Sequence, residues 1–67
     1  MKIKIYLERE AKELEIEFNG KNIKDLLKQL NLDWSRFVIV KNGEIVTEDE
    51  EIKEGDYIKI LDVVSGG

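Results

Sequence analysis

The chain of 67 residues contains no cysteine, no histidine and no proline. It therefore has no disulfide, no zinc site of the usual kind and no Cys–His nucleophile. No apolar run approaches the ~20 residues that a membrane span requires. A chain this short has room for one core and must fold by packing alone. We expect a single domain over residues 1–67 that is cytoplasmic, monomeric by itself and free of bound metal.

The charge balance is acidic, with 11 basic and 15 acidic residues and a net charge of −4. The acidic side chains are concentrated in residues 8–17 and 48–51. Binding to nucleic acid depends on lysine and arginine that neutralise phosphates, so this balance argues against a direct nucleic-acid partner. It favours a protein partner with a basic docking face.

The first half of the chain begins with two alternating segments, residues 2–8 and 13–19, which predict half-buried strands. One antiparallel register pairs their apolar side chains on one face. It places Leu7 opposite Leu14, Ile5 opposite Ile16, and Ile3 opposite Phe18. Residues 9–12 between the strands lack the Gly or Asn of a two-residue hairpin turn, so we expect a longer connection.

A single apolar stripe at helical spacing follows, formed by Ile23, Leu26, Leu27 and Leu30. Asn22 is placed to cap the start of this helix. Asn31 can adopt the left-handed conformation at its end, with Leu32 folding back onto the helix. Because so short a helix has no stability of its own, we expect it to lie on a sheet.

The second half of the chain reads as three further strands. Residues 37–40 are apolar on both parities, which is typical of a strand inside a sheet, and either parity can face the core. Asn42-Gly43 is a strong hairpin signal, and Gly55-Asp56 forms a turn before a last strand at 57–61. The order β-β-α-β-β-β predicts an α+β fold of the β-grasp type. It has a mixed four- to five-stranded sheet with one covering helix.

Catalytic groups are scarce. Ser35 and Ser65 have no neighbouring base, and the many carboxylates are better explained as a salt-bridged surface than as a catalytic pair. We therefore predict that the chain is not an enzyme and has no catalytic residues. The terminal Gly66-Gly67 is the remaining feature, and by itself it fits a frayed end equally well.

Together with the predicted fold, several stretches show a resemblance to a known family. They are residues 23–30, 40–46 and 52–60, and the closing Val64-Ser65-Gly66-Gly67. The chain resembles the sulfur-carrier branch of the ubiquitin-like proteins, the ThiS and MoaD type. Its ending, residues 63–67, looks most similar to carriers that serve tRNA 2-thiolation. The resemblance implies a ubiquitin-like domain with 63–67 as a functional tail.

The resemblance also implies a chemistry for the tail. The Gly67 carboxylate would be adenylated by an E1-like adenylyltransferase that uses ATP. A persulfide protein would then displace AMP, leaving a Gly67 thiocarboxylate for a sulfurtransferase or synthase in tRNA thiolation, thiamine or molybdopterin synthesis. Val64, Ser65 and Gly66 would thread into the partner, since glycine has no Cβ to block a narrow channel. We expect residues 64–67 to be mobile in the free protein.

The partner surface and the competing functions complete the predictions. By parity Tyr6, Tyr57 and Leu61 point away from the helix and predict a docking patch, although scattered surface side chains, or cover from the loop around Trp34, explain them too. We expect Trp34 to close one end of the core. One alternative function is a ubiquitin-like modifier conjugated through Gly67 to target lysines. Another is a β-grasp interaction module with an inert tail.

Overall fold

Five strands and one α-helix form the part of the chain that the computed structural model describes, residues 1–63. In order they are β1 (Lys2–Leu7), β2 (Lys12–Glu17), α1 (Ile23–Gln29), β3 (Phe37–Lys41), β4 (Glu44–Val46) and β5 (Tyr57–Asp62). Two 3-10 turns, Glu8–Glu10 and Trp34–Arg36, follow β1 and precede β3. The predicted threading roles of Val64, Ser65 and Gly66, the chemistry of Gly67 and the mobility of the tail lie outside the described residues.

The strands form one mixed sheet in the order β2-β1-β5-β3-β4. The central strands β1 and β5 are parallel, and every other neighbouring pair is antiparallel. Both parallel strands are buried on the face that α1 covers, as parallel pairs at the centre of a sheet usually are. The arrangement confirms the predicted β-grasp fold and settles the strand number at five.

The register of the first hairpin differs from the predicted one. Leu7 lies opposite Lys12 instead of Leu14, and Ile5 lies opposite Leu14. The prediction was wrong by two residues along β2. A shift of two residues leaves every side chain on its predicted face, so alternation alone does not detect it.

The shorter connection explains this register. Residues 8–10 form a 3-10 turn, and Ala11 closes it with φ of 48° in the left-handed region, its N–H donating to the Glu8 carbonyl. The connection is longer than two residues, as predicted, but shorter than the predicted register needs. Phe18 then lies past the end of β2, where its N–H donates to the Met1 carbonyl and its ring is buried.

Both ends of α1 are capped as predicted. The Asn22 side chain accepts the N–H of Asp25 at 3.1 Å. At the other end Asn31 has φ of 59°, and the N–H of Leu32 donates to the Leu27 carbonyl at 2.8 Å. These contacts form a Schellman motif, which satisfies carbonyls that the helix leaves open.

The core lies between α1 and one face of the sheet. Phe37 and Ile39 point into it, which decides the parity of β3 that the sequence left open. Trp34 packs against this core from its edge, as predicted. The buried side chains are Ile3, Ile5, Leu7, Phe18, Ile23, Leu26, Leu27, Phe37, Ile39, Ile52, Ile58 and Ile60.

A charged cluster holds the loop between β4 and β5. The Lys41 ammonium lies 2.9 Å from the Glu50 carboxylate and 3.7 Å from that of Asp56, and it donates to the Glu51 carbonyl at 3.0 Å. The hydrogen bond to Glu50 raises the pKa of Lys41, although its partial burial acts the other way. Lys41 therefore stays charged and ties the acidic loop to the end of β3.

Asp56 is the second anchor of this loop. Its carboxylate accepts the N–H of Lys53 at 2.8 Å and the side-chain amide of Asn42 at 3.1 Å. Burial by itself raises the pKa of Asp56, but these two hydrogen bonds and the Lys41 charge outweigh it, so the pKa lies below its ordinary value. The side-chain oxygen Oδ1 of Asn42 also accepts the N–H of Tyr57, which links the hairpin turn to the start of β5.

Candidate functional site

The sheet face opposite α1 is the candidate docking surface, called the open face below. The one helix within residues 1–63 packs on the other side, where the inward side chains are buried. Side chains of alternate parity on β1, β3, β4 and β5 therefore point to the open face. Those that carry apolar surface are Tyr6, Val38, Val40, Ile45, Tyr57 and Leu61.

The strand register makes these side chains neighbours. Val40 lies opposite Ile45 on one side and opposite Lys59 on the other, and Val38 lies opposite Leu61. Ile45 is 77% exposed, a large value for so apolar a residue. Cross-strand neighbours of this kind form one continuous patch, so the β3, β4 and β5 side of the open face offers an apolar surface that a partner can bury.

The β1 and β2 side of the same face is polar. Lys4 lies opposite Glu15, and Tyr6 lies opposite Glu13. The Tyr57 hydroxyl donates to the Glu13 carboxylate at 3.0 Å, and the Lys59 ammonium lies 5.9 Å from the Tyr57 ring centroid. The pKa of Tyr57 is raised, mainly because the phenol is partly buried and to a smaller extent because it donates a hydrogen bond to Glu13. Its phenol is therefore neutral at physiological pH and serves as a hydrogen-bond donor.

The predicted docking residues Tyr6, Tyr57 and Leu61 all lie on the open face, each partly buried by its neighbours. Their role in docking stays a prediction. The hydroxyl of Tyr57 is already bonded within the domain. Sequence reasoning missed Ile45, although a usable signal was present. The two-residue Asn-Gly turn pairs Val40 with Ile45, so both share one face once the parity of β3 is known.

The end of β5 lies beside two 3-10 turns. The N–H of Val63 donates to the Arg36 carbonyl at 3.1 Å, and the N–H of Asp62 donates to the Glu8 carboxylate at 3.2 Å. Pairing thus extends one residue into the segment predicted as tail, residues 63–67. Val63 is 50% exposed and borders a surface cavity of about 550 Å³. The last strand therefore ends at this corner of the sheet.

The structure shows little else that resembles a reactive site. Within residues 1–63 no group of three or more carboxylate side chains is arranged to hold a metal ion. No helix in this range is long and apolar enough to cross a membrane.

The fold and the surface together define a class of protein. It is a ubiquitin-like β-grasp domain with a partly apolar open face beside the end of its last strand. The chain belongs to the ThiS family, since the family model matches residues 5–67. The match confirms the resemblance to the ubiquitin-like sulfur-carrier family that the sequence indicated.

Two proteins of similar sequence cover almost the whole chain. An uncharacterized protein of Archaeoglobus fulgidus is 35% identical over 68 residues, which is 100% of both chains. The sulfur carrier protein TtuB of Thermus thermophilus is 33% identical over 58 residues, or 87% of this chain and 88% of that protein.

Two solved structures are similar in fold. SAMP1 from Haloferax volcanii superposes with a TM-score of 0.75 at 17% identity. A chain of the complex between subunits 1 and 2 of molybdopterin-converting factor from Helicobacter pylori superposes with a TM-score of 0.73 at 20% identity. Both matches cover 100% of each chain. They confirm the β-grasp fold.

Proposed function

We propose that the chain carries sulfur as a thiocarboxylate on Gly67. A carboxylate is a poor acyl donor until one oxygen becomes part of a leaving group. In the proposed first step a Gly67 carboxylate oxygen attacks the α-phosphorus of ATP within an E1-like adenylating enzyme, which releases pyrophosphate and forms an acyl-adenylate. The terminal sulfur of a protein persulfide then attacks the carbonyl carbon and expels AMP. A thiol then attacks the donor's sulfur atom in the resulting acyl disulfide. The S–S bond breaks, which releases the thiocarboxylate on Gly67 and joins the donor to the attacking thiol in a new disulfide.

The observation that carries this proposal is the family match, which runs from residue 5 through Gly67 and so includes the terminal Gly-Gly. The relative TtuB is named as a sulfur carrier, and it aligns with 87% of the chain. The sequence has no cysteine that could capture the activated acyl group and no histidine for acid–base chemistry. We infer that the enzymes that act on the tail supply the reactive groups, including the ATP site.

The open face is the proposed docking site for the adenylating enzyme. Its apolar half, with Val38, Val40, Ile45 and Leu61, lies on the strands next to the exit of the C-terminal segment. A partner that covers this half would bury apolar surface close to the point where the tail begins. In the Helicobacter pylori complex a protein of the same fold is assembled with a second subunit. Docking of the present chain through its open face is part of the proposal.

For the recipient of the sulfur, we place tRNA 2-thiolation first. The ending of residues 63–67 resembles carriers of that pathway, and the similarity to TtuB agrees with this choice. Conjugation of Gly67 to target lysines requires the same activation step and differs in the nucleophile that follows. Mass spectrometry of the protein from its native cell separates the two outcomes. Replacement of O by S adds about 16 Da to the carrier. Conjugation instead joins Gly67 to a lysine of the target, which carries residues 60–67 after trypsin cleaves at Lys59.

The central test uses ATP–pyrophosphate exchange with the adenylating enzyme of the same organism. Deleting Gly67, or adding one alanine after it, is expected to abolish exchange, because the terminal carboxylate is then displaced by one residue, short of the α-phosphorus or beyond it. Both variants should melt like the wild type, since the change lies outside residues 1–63, which contain the sheet and the core. Undiminished exchange by the deletion variant contradicts the proposed role of Gly67.

A further inference from the structure

The last strand is held at its end by contacts from two different turns. On one side the carboxylate of Glu8, in the 3-10 turn after β1, accepts the N–H of Asp62 at 3.2 Å. On the other side the carbonyl of Arg36, in the 3-10 turn before β3, accepts the N–H of Val63 at 3.1 Å. The two amides are consecutive in the chain and point in opposite directions, as neighbouring residues of a strand do.

The side-chain contact from Glu8 replaces a missing backbone partner. In the β1–β5 pair the register ends with Leu7 opposite Ile60, and the chain then turns into residues 8–10. The next β5 amide that points toward β1 is that of Asp62, and β1 has no further extended residue to accept it. The Glu8 carboxylate supplies the acceptor. The opposite side keeps an ordinary backbone bond, because β3 begins at Phe37 and Arg36 directly precedes it.

We infer that Glu8 is a positioning residue for the proposed sulfur-carrier reaction, and that it acts by holding the base of the C-terminal segment. The inference rests on the proposed function. From Val63 to Gly67 there are four residue steps, which span at most roughly 13–14 Å when fully extended. The reach of the reacting carboxylate therefore depends on where this segment begins. With Glu8 in place, it begins at Val63 on a fixed corner of the sheet.

Loss of the Glu8 contact leaves the end of β5 held on one side only, by the bond from Val63 to Arg36. The partner must then order about one more residue when it takes up the tail. Ordering one residue costs on the order of a tenfold change in an equilibrium constant. The cost falls on formation of the threaded complex and not on the chemical step. The expected effect is therefore a higher KM for the carrier, by about five- to tenfold, with kcat unchanged.

A purely structural role for Glu8 makes a different prediction. The Glu8 carbonyl accepts the Ala11 N–H and closes the turn through the backbone, so this bond survives a change of side chain. The side chain of Glu8 is exposed, so its removal creates no cavity in the core. If the role of Glu8 were purely structural, Glu8→Ala would lower the melting temperature, and KM would not rise at constant kcat.

The test compares three variants in the full chain. Glu8→Ala removes the acceptor, and Glu8→Gln keeps an oxygen acceptor of the same reach without the charge. Glu10→Ala is the matched control, since Glu10 lies exposed in the same turn and its side chain has no hydrogen bond to any residue in the range 1–63. Two readouts are measured, native-state amide hydrogen exchange at Asp62 in the free carrier and steady-state ATP–pyrophosphate exchange with the adenylating enzyme.

The expected result is specific to Glu8→Ala. Exchange of the Asp62 amide should accelerate about five- to tenfold, as for the loss of one hydrogen bond, with the rise in KM given above. Glu8→Gln and Glu10→Ala should match the wild type in both readouts. Unaltered Asp62 exchange in Glu8→Ala overturns the contact itself, whatever the function. An unchanged KM beside faster amide exchange overturns the positioning role. A wild-type carrier that supports no pyrophosphate exchange refutes the proposed function separately.

Discussion

Changing Ile45 to alanine or aspartate is expected to weaken the complex with the adenylating enzyme while the domain stays folded. Ile45 is 77% exposed on β4, so the free domain gains little from its burial. Substitutions at such positions usually change the free energy of unfolding by about 0.5 kcal/mol or less. The free domain therefore leaves most of this side chain available for a partner to bury.

The magnitude follows from that exposed fraction. Full burial of an isoleucine side chain is worth about 1.5–3 kcal/mol, and roughly three quarters of this remains to be gained on docking. Ile45→Ala should therefore cost about 1–2 kcal/mol of binding free energy, which is roughly a 5- to 30-fold increase in Kd. Ile45→Asp should cost more than Ile45→Ala, because a charge must lose its hydration at the interface.

Isothermal titration calorimetry of each variant against the adenylating enzyme measures these changes, and thermal melting followed by circular dichroism measures stability. Glu44→Ala is the matched control, because Glu44 is the neighbouring exposed residue of β4 with the opposite parity. It should bind like the wild type. If Ile45→Asp binds with an unaltered Kd, the apolar half of the open face is not the docking site, and the acidic segment 48–51 becomes the next candidate.

Three further predictions concern the surface and the fold. Leu61→Asp should also weaken the complex, and it should destabilise the free domain more than Ile45→Asp does, by about 1 kcal/mol, because Leu61 is partly buried. Asp56→Asn should lower stability at pH 7 by about 1–2 kcal/mol. The wild type should lose this advantage in acid, because the pKa of Asp56 is lower in the folded protein than in the unfolded chain. Such a carboxyl stabilises the fold above about pH 4, and this contribution disappears as the pH falls through the pKa of the folded protein. Gly20→Ala should cost about 1–3 kcal/mol, because a Cβ there would lie 2.5 Å from the Asp25 Cβ and 2.6 Å from the Phe18 ring.

Each of these has a control and a contrary result. For Leu61→Asp, calorimetry that shows wild-type affinity would remove β5 from the docking surface. For Asp56→Asn, melting temperatures at pH 7 and pH 3 are compared, and an equal fall for variant and wild type would contradict the role given to the carboxylate. For Gly20→Ala, urea denaturation is measured beside Asn19→Ala, whose side chain is exposed. Equal midpoints would show that the chain relaxes around the added methyl group.

The features that could be predicted from the sequence are those set by neighbouring residues. Alternation assigned the faces of β1, β2 and β5 correctly, because successive side chains of a strand always point to opposite sides. The caps at Asn22 and Asn31 were predictable because each acts on backbone groups three to five residues away. The role of Gly67 rests on a family resemblance, since a pair of terminal glycines has no chemistry of its own.

Other features were decided only when distant segments met. The β1–β2 register was predicted two residues away from its true position, because a shift of two leaves every side chain on the same face. The true register depends on the left-handed conformation of Ala11, a position where the sequence has neither the glycine nor the asparagine typical of such a turn. The parity of β3 depends on which face α1 covers, so its apolar sequence left both choices open.

The site shows the same division. The sequence placed Tyr6, Tyr57 and Leu61 on the open face, because parity is a local property. It did not predict the hydrogen bond from Tyr57 to Glu13 across 44 residues, or the contact of Glu8 with the Asp62 amide across 54 residues. These contacts depend on β1 and β5 lying side by side at the centre of the sheet, and strand order is a property of the whole chain that no single segment encodes.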